Sequence, residues 1–407
     1  MNKPQIRFKG FESELKLHTL ADLGSWSKGQ PLSKSDIGNG PYPCIHYGEL
    51  FSYPEFISKI NSHTFIEPTC TSKGCELLFP DSDVTPTGLG RCCSISETGV
   101  ILGTGINILS LKSGLDSHYC ALNVVRNKSQ IIERVSGTTV RHINPKNLNE
   151  VVISISPDLL EQSIIGNYFR QLDEMIVEVE REISRLEKIK QASLQNIFPR
   201  PGAATPEIRF AGFSGPWKDV KLGELGIWQK GQSLSKSDIS DTAHYPCLHY
   251  GQLFAEEECI YNIRTFTNKE PIITSCGNEI LFPDSDVTPT GLGRCCCVLE
   301  KGVILGSGIN IFCLKESMVA HFVALNVTCN KYQIIEQVTG TTVKHIHPKS
   351  LSEIIISIPD SSEEQETIAE YFRNLDALIS AKRQKLTKLR NIKQACLDKM
   401  FVNTSEL

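Results

Sequence analysis

From Pro157 onward, apolar residues fall at Ile165, Phe169, Leu172, Ile176, Val179, Ile183 and Leu186, in alternating steps of four and three. That spacing keeps one apolar stripe along a helix and predicts a heptad seam. A second stretch gives Ile368, Phe372, Leu375 and Ile379, then the charged Lys382 at a seam position, then Leu386 and Leu389. A run of about 40 helical residues measures ~60 Å at 1.5 Å per residue, which is a spacer's length. Either each helix packs on its own domain, or the two pair. The first mixes Glu178, Glu180, Glu182 and Glu187 with Arg181, Arg185, Lys188 and Lys190, whereas the second carries Lys382, Arg383, Lys385, Lys388, Arg390, Lys393 and Lys399 against Asp398, and this charge balance suits them as partners. Ahead of each helix the period changes. Short apolar runs at 100–102, 151–155 and 354–358, set between glycine and proline turns, predict strands of mixed α/β domains.

These elements come twice because the chain is one unit written twice. The string FPDSDVTPTGLGRCC runs from Phe79 to Cys93 and again from Phe282 to Cys296. Ile6-Arg7-Phe8 returns as Ile208-Arg209-Phe210, Lys28-Gly29-Gln30 as Lys230-Gly231-Gln232, Gly137-Thr138-Thr139-Val140 as Gly340-Thr341-Thr342-Val343, and Ile189-Lys190-Gln191-Ala192 as Ile392-Lys393-Gln394-Ala395. A period of about 200 residues exceeds the ~20–50 of solenoid repeats. A whole domain plus its connector is duplicated, and a pseudo-two-fold molecule acting on a pseudo-two-fold target is expected. The divisions are a first domain over 1–156, a helix over 157–198, a proline-rich linker over 199–206, a second domain over 207–358 and a second helix over 359–407.

Composition narrows the chemistry. The 407 residues hold two domains of ordinary size, and no apolar run approaches the ~18 residues of a membrane helix. With no apolar leader at its start, the chain is expected in the cytoplasm. Fifteen cysteines, an odd number with no C-x-x-C pair, argue against a disulfide framework or a zinc site and for buried thiols. The net charge of −4 lacks the basic excess usual among proteins that neutralise phosphates on their own.

The repeated acids and histidines are the candidates for catalysis. Asp81 and Asp83, with twins Asp284 and Asp286, could be metal-binding carboxylates of a nuclease, but no acid-x-lysine follows the Pro-Asp pair in either domain. Aspartates bonding their own backbone in a proline-flanked turn are the simpler reading. His46 and His249, like His142 and His345, stand beside no repeated nucleophile, and are read as packed or DNA-facing. No G-x-x-x-x-G-K-[ST] loop and no amino-methyltransferase motif occurs.

In this order and twice over, the repeated segments resemble the specificity subunit of type I restriction-modification enzymes. The openings Ile6 to Phe11 and Ile208 to Phe213 resemble the family's domain start. G-T-T-V-[RK]-H-I, ending at Ile143 and Ile346, resembles its late target-recognition motif, and Ser357-Ile358-Pro359 with Glu363-Glu364-Gln365 its helix entry, of which Glu161-Gln162 keep a reduced version. Phe169 to Asp173 and Ile189 to Phe198, with their partners, resemble the helix itself.

The resemblance implies an α+β fold: two similar mixed α/β target-recognition domains joined by two long antiparallel coiled-coil helices, pseudo-two-fold. It implies a non-catalytic protein that reads a bipartite target on double-stranded DNA, near-palindromic because like domains should read like half-sites. Methyltransferase subunits would bind it and methylate adenine with S-adenosylmethionine, and restriction subunits would use ATP and Mg. No cofactor or metal is expected in this subunit. A non-catalytic coiled-coil scaffold with two heads that do not bind DNA is the alternative.

Candidate DNA contacts are long polar or basic side chains in shared loops, where arginine and lysine suit guanine, amides suit adenine and hydroxyls suit phosphate. They are Lys28, Gln30, Ser33, Lys34, Ser35, Arg91, Thr138, Thr139, Arg141 and His142 in the first copy. In the second they are Lys230, Gln232, Ser235, Lys236, Ser237, Arg294, Thr341, Thr342, Lys344 and His345. Each could equally be a solvated loop residue, and the glycine-rich string a structural turn. The copies diverge between Ser52 and Cys75 against Ala255 and Asn278, where base-reading differences would fall.

Overall fold

A computed structural model describes residues 3–57, 59–254 and 258–404. The chain divides into two units, Met1–Arg181 with Arg383–Leu407 and Glu182–Lys382, so each long helix contributes to both.

In the first unit a five-stranded sheet is ordered Gly24–Lys28, Ile106–Leu111, Glu76–Pro80, Cys93–Ile95, Phe56–Ile57. Its central strand Glu76–Pro80 is buried throughout. Because side chains alternate across a sheet, Leu77 and Phe79 enter one core and Leu78 the other. The first core is closed by the helix Ser117–Arg126 and by Phe169 and Phe401, the second by a further five-stranded sheet and the segment Tyr47–Phe51. Two small antiparallel pairs complete the unit, Lys16–Thr19 with Val152–Ile155 and Ser82–Asp83 with Arg141–His142. The second unit repeats this plan around Glu279–Pro283, with Ile280 and Phe282 facing one core and Leu281 the other. Its second sheet has three strands, Phe266–Thr267, Tyr245–Leu248 and Ile304–Leu305. The run at 100–102 lies within the strand Thr98–Leu102, and those at 151–155 and 354–358 form Val152–Ile155 and Ile355–Ile358, each strand starting one residue later than the run.

The long helices are Leu159–Ile197 and Ser362–Met400, each of 39 residues. Both start at the same place in the repeat and are entered by the same device. Arg7 grips Glu161 through Nε and Nη2 at 2.5 and 2.7 Å, and Arg209 grips Glu364 at 2.8 Å through both. The neighbouring glutamines accept from the backbone, Gln162 from the Asp116 amide and Gln365 from the Val319 amide. Glu161-Gln162, the reduced entry of the first copy, thus retains the two residues that fasten it.

Within the first unit the helices run antiparallel. Phe169 meets Phe401 with ring centroids 5.8 Å apart, Asp173 meets Lys393 at 2.7 Å, and Glu180 meets Arg390 at 2.6 Å. Within the second unit Glu182 meets Lys382 at 2.6 Å, Lys190 meets Asp376 at 2.8 Å and Phe198 meets Phe372. The seam residues Ile165, Phe169, Leu172, Val179 and Ile183 are buried. Lys382, a flaw in the seam when its own helix is read alone, is matched by a glutamate on the facing helix.

Each unit buries an ion triad where helices meet sheet. Lys393 lies between Asp173 and Glu55, and Lys190 between Asp376 and Glu258, the last at 2.8 Å. In both, the carboxylates come from the facing helix and from the segment just before the last strand of the central sheet. Burial pushes the Asp173 carboxyl up to about 6 despite Lys393, and its Oδ2 makes no hydrogen bond. The equivalent oxygen of Asp376 accepts from the Tyr261 hydroxyl at 3.3 Å. All fifteen cysteines are free thiols, nine of them buried, and the described residues contain no cluster that could hold a metal ion.

Candidate nucleic-acid interface

The predicted contact residues fall into two connected groups in each unit, with the arginines of the shared string apart from both. The first group begins where the edge strand Gly24–Lys28 ends. Lys28 is exposed and its Nζ lies 3.0 Å from Asp81. Past it the chain runs so close to its neighbour that a Cβ on Gly29 would stand 1.9 Å from the Gly103 carbonyl oxygen, which requires glycine. Ser33 and Asp36 then close a tight turn. The carboxylate accepts from the Ser33 amide at 2.7 Å and hydroxyl at 2.6 Å, and these bonds hold its pKa below the usual range. The Ser33 and Ser35 hydroxyls are 2.7 Å apart, and Lys34 is exposed at the tip. Lys230, Ser235, Lys236 and Ser237 repeat the arrangement, with Lys230 3.4 Å from Asp284.

Gln30 sits inside this group but faces inward, only 5% exposed. Its Nε2 donates to the Glu67 carbonyl at 2.9 Å, and its Oε1 accepts from the Thr69 and Cys70 amides at 2.6 and 2.7 Å. Gln232 holds the Glu270 carbonyl and the Ile272 and Ile273 amides in the same way. A buried amide so employed clamps a loop.

The second group is a pair of turns bound edge to edge. Arg141 and His142 pair with Asp83 and Ser82, and His142 exchanges backbone bonds with Ser136 at 2.8 and 3.0 Å. Gly137 takes a φ of 102°, and a Cβ there would meet the Val140 carbonyl oxygen at 2.2 Å. The turn leaves Thr138 and Thr139 exposed, with His142 exposed and Arg141 half-buried and donating to the Gly137 carbonyl. Asp83 accepts from the Val84 amide at 2.7 Å and the Thr85 hydroxyl at 2.9 Å, the self-bonded turn expected of these aspartates, whereas the Asp81 and Asp284 carboxylates pair with Lys28 and Lys230 instead. Thr341, Thr342, Lys344 and His345 occupy the same frame, and Lys344 donates to the Gly340 carbonyl at 2.8 Å. Polar screening passes over two residues here: Val84 and its twin Val287 are each 72% exposed at the tip of the turn. Their signal was in the sequence, a valine kept in both copies of a proline- and threonine-rich string.

Arg91 and Arg294 stand apart from both groups. Arg91 donates to the Phe51 and Tyr53 carbonyls at 3.0 and 2.8 Å and lies over the Phe51 ring. Arg294 donates to the Phe254 carbonyl at 3.0 Å and lies over the Phe254 ring. His46 and His249 are turn caps, each accepting from the backbone amide two residues on at 3.2 Å. His118 and His321 are both buried, His118 without a hydrogen-bond partner, and burial lowers both to about 3, which favours their neutral forms.

Comparison with known proteins agrees with this architecture. Residues 215–391 match the family described as "Type I restriction modification DNA specificity domain". The chain is 20% identical over 317 residues to the type I restriction enzyme MjaVIII specificity subunit of Methanocaldococcus jannaschii, covering 75% of this chain and 74% of that protein. Its fold is similar to the crystal structure of the type I restriction-modification system S subunit from M. genitalium, with a TM-score of 0.69 at 16% identity over 98% of this chain and 99% of the other. A chain from a study of complex assembly and conformational transition of the type I R-M system matches with a TM-score of 0.50 at 16% identity, over 95% and 97% of the two.

Proposed function

We propose that this chain, a specificity subunit of the type I restriction-modification family, reads double-stranded DNA through two half-sites, one per unit, and has no catalytic role of its own. The observation that carries the two-half-site reading is the double occurrence of one interface: the same lysine, serine turn and paired loops on the same backbone frame in each unit. Two like frames favour a split, near-palindromic word. Within the predicted set, contacts to DNA fall to Lys28, Ser33, Lys34, Ser35, Thr138, Thr139, Arg141 and His142 with their twins. Gln30, Gln232, Arg91 and Arg294 shape the loops from behind.

Partner methyltransferase subunits would supply S-adenosylmethionine chemistry, and restriction subunits ATP- and Mg-dependent cleavage, in the cytoplasm. A near-neutral chain suits that division, because partners can contribute phosphate-binding surface. No helix among the described residues is long and apolar enough to cross a membrane. The DNA-free scaffold is not favoured, since it leaves the duplicated polar loops without a use.

The test is to express the chain with its methyltransferase and map methylated adenines at base resolution. A split word with related halves is expected, with no methylation by the chain alone. Turnover by the purified chain with S-adenosylmethionine would overturn the non-catalytic assignment.

A further inference from the structure

The two interfaces share a frame but not every residue set in it. Thr64 and Thr267 are buried at equivalent positions. Each hydroxyl donates at 2.8 Å to the backbone carbonyl of the turn aspartate, Asp36 or Asp238, and accepts from the amide two residues on. Three residues after them the glutamine clamp takes hold. The loop between these fixings is Phe65-Ile66-Glu67-Pro68-Thr69 in one copy and Asn268-Lys269-Glu270-Pro271-Ile272 in the other. Its middle is identical and its flanks are not.

We propose that Phe65 and Ile66 in the first copy, and Asn268 and Lys269 in the second, are the residues that make the two half-sites differ. The proposal rests on the DNA-reading function above and assigns part of its specificity.

Position supports it. Other exposed loops diverge too, but this one is hydrogen-bonded directly to the shared group, through Gln30 and Asp36 or through Gln232 and Asp238. It therefore lies beside side chains that are the same in both copies, where a change of residue alters the reading without moving the reader.

The chemistry differs sharply. Phe65 is 73% exposed and Ile66 38%, two adjacent apolar side chains presented to solvent at the loop tip. The thymine methyl is the apolar feature of the major groove, and phenylalanine is among the residues that meet it. In the second copy the Asn268 side-chain oxygen accepts from the His244 backbone amide at 3.3 Å and lies 2.9 Å from its ring Nδ1, which leaves the amide nitrogen as the donor the side chain can offer. Lys269 lies 2.8 Å from Asp238 and adds a positive charge that the first copy lacks. One half-site should therefore require a thymine where the other requires a hydrogen-bond acceptor.

The loops can be exchanged because the threonine and glutamine bonds that hold their backbones are the same in both copies. The double variant Phe65→Asn/Ile66→Lys retains the Thr64 bonds and the Gln30 clamp, and its lysine has Asp36 to pair with. The reciprocal variant is Asn268→Phe/Lys269→Ile. Each is assembled with the methyltransferase and offered DNA pools randomised in one half-site, with melting temperature recorded alongside. The wild type should select two words differing at one or two positions. The forward variant should shift the first word toward the second and cut selection of the original first word about tenfold or more, leaving the second word unchanged. The reciprocal variant should do the converse. Unchanged words from both variants would overturn the proposal. If one variant selects nothing while melting normally, the word chosen by the other decides it in the same way. A wild type that selects no split word would overturn the DNA-reading function itself, a separate outcome.

Discussion

Replacing Lys393 by methionine should destabilise the first unit in a pH-dependent way. Methionine keeps much of the aliphatic stem and removes the charge between Asp173 and Glu55, leaving two carboxylates facing each other. The three side chains are only 16%, 10% and 20% exposed, so little water replaces the ammonium. Removing one partner from a buried ion pair costs about 3–5 kcal/mol. At ~2–4 °C per kcal/mol for a unit of this size, the melting temperature should fall by roughly 6–20 °C at pH 8. Burial already holds Asp173 up to about 6, above its ordinary value, so its contribution is intact at low pH and lost as pH rises through that value. Glu55 is affected oppositely: burial raises it, but Lys393 outweighs this and holds it below its ordinary range. Without the lysine both carboxyls bind protons more readily, so the variant's deficit should shrink by pH 5, where a shared proton relieves the repulsion. Lys190→Met should give a flatter pH dependence, because Asp376 retains the Tyr261 hydroxyl. Thermal melts between pH 5 and 8 provide the test. Equal melting of Lys393→Met and wild type at pH 8, or a deficit that widens on acidification, would refute the reasoning.

Gln30→Leu should cost about 1–3 kcal/mol by leaving the Thr69 and Cys70 amides and the Glu67 carbonyl unpaired, read by denaturant unfolding, with faster amide exchange across 67–70. Arg141→Ala and Lys344→Ala should weaken DNA binding by the assembled complex across all sequences and lower its salt slope by about 1 each; a changed target word would show that these residues read bases instead. Lys382→Met should cost no more than about 1 kcal/mol, because the pair with Glu182 is 27% and 39% exposed, and the loss should fade in high salt.

Lys382 and Lys393 show where sequence reading stops. Both are lysines on one helix at positions of the four-three seam, and periodicity alone marks each as a break in it. Only the facing helix and the domain behind it reveal that Lys382 forms a half-buried pair and Lys393 the centre of a buried triad. What local pattern controls was legible: the helix pair from its four-three spacing, the strands from their apolar runs, the self-bonded aspartate turn from its prolines and threonines. Partners distant in sequence were not, and the interface candidates divide along that line. Ser33 and Thr138 lie in turns whose exposure follows from short-range bonding. Gln30 shares their segment and polarity, but its direction is set by a loop 37 to 40 residues away, and it faces inward. The duplication recovers part of what a single sequence hides. A residue kept in both copies is either frame or contact, and burial separates the two, so Gln30 and Gln232 become frame. A pair that differs on a shared backbone frame, as Phe65 and Asn268 do, is not what holds that frame and can serve discrimination. Specificity in a duplicated reader is thus to be sought at exposed positions where the copies disagree and the hydrogen bonds around them agree.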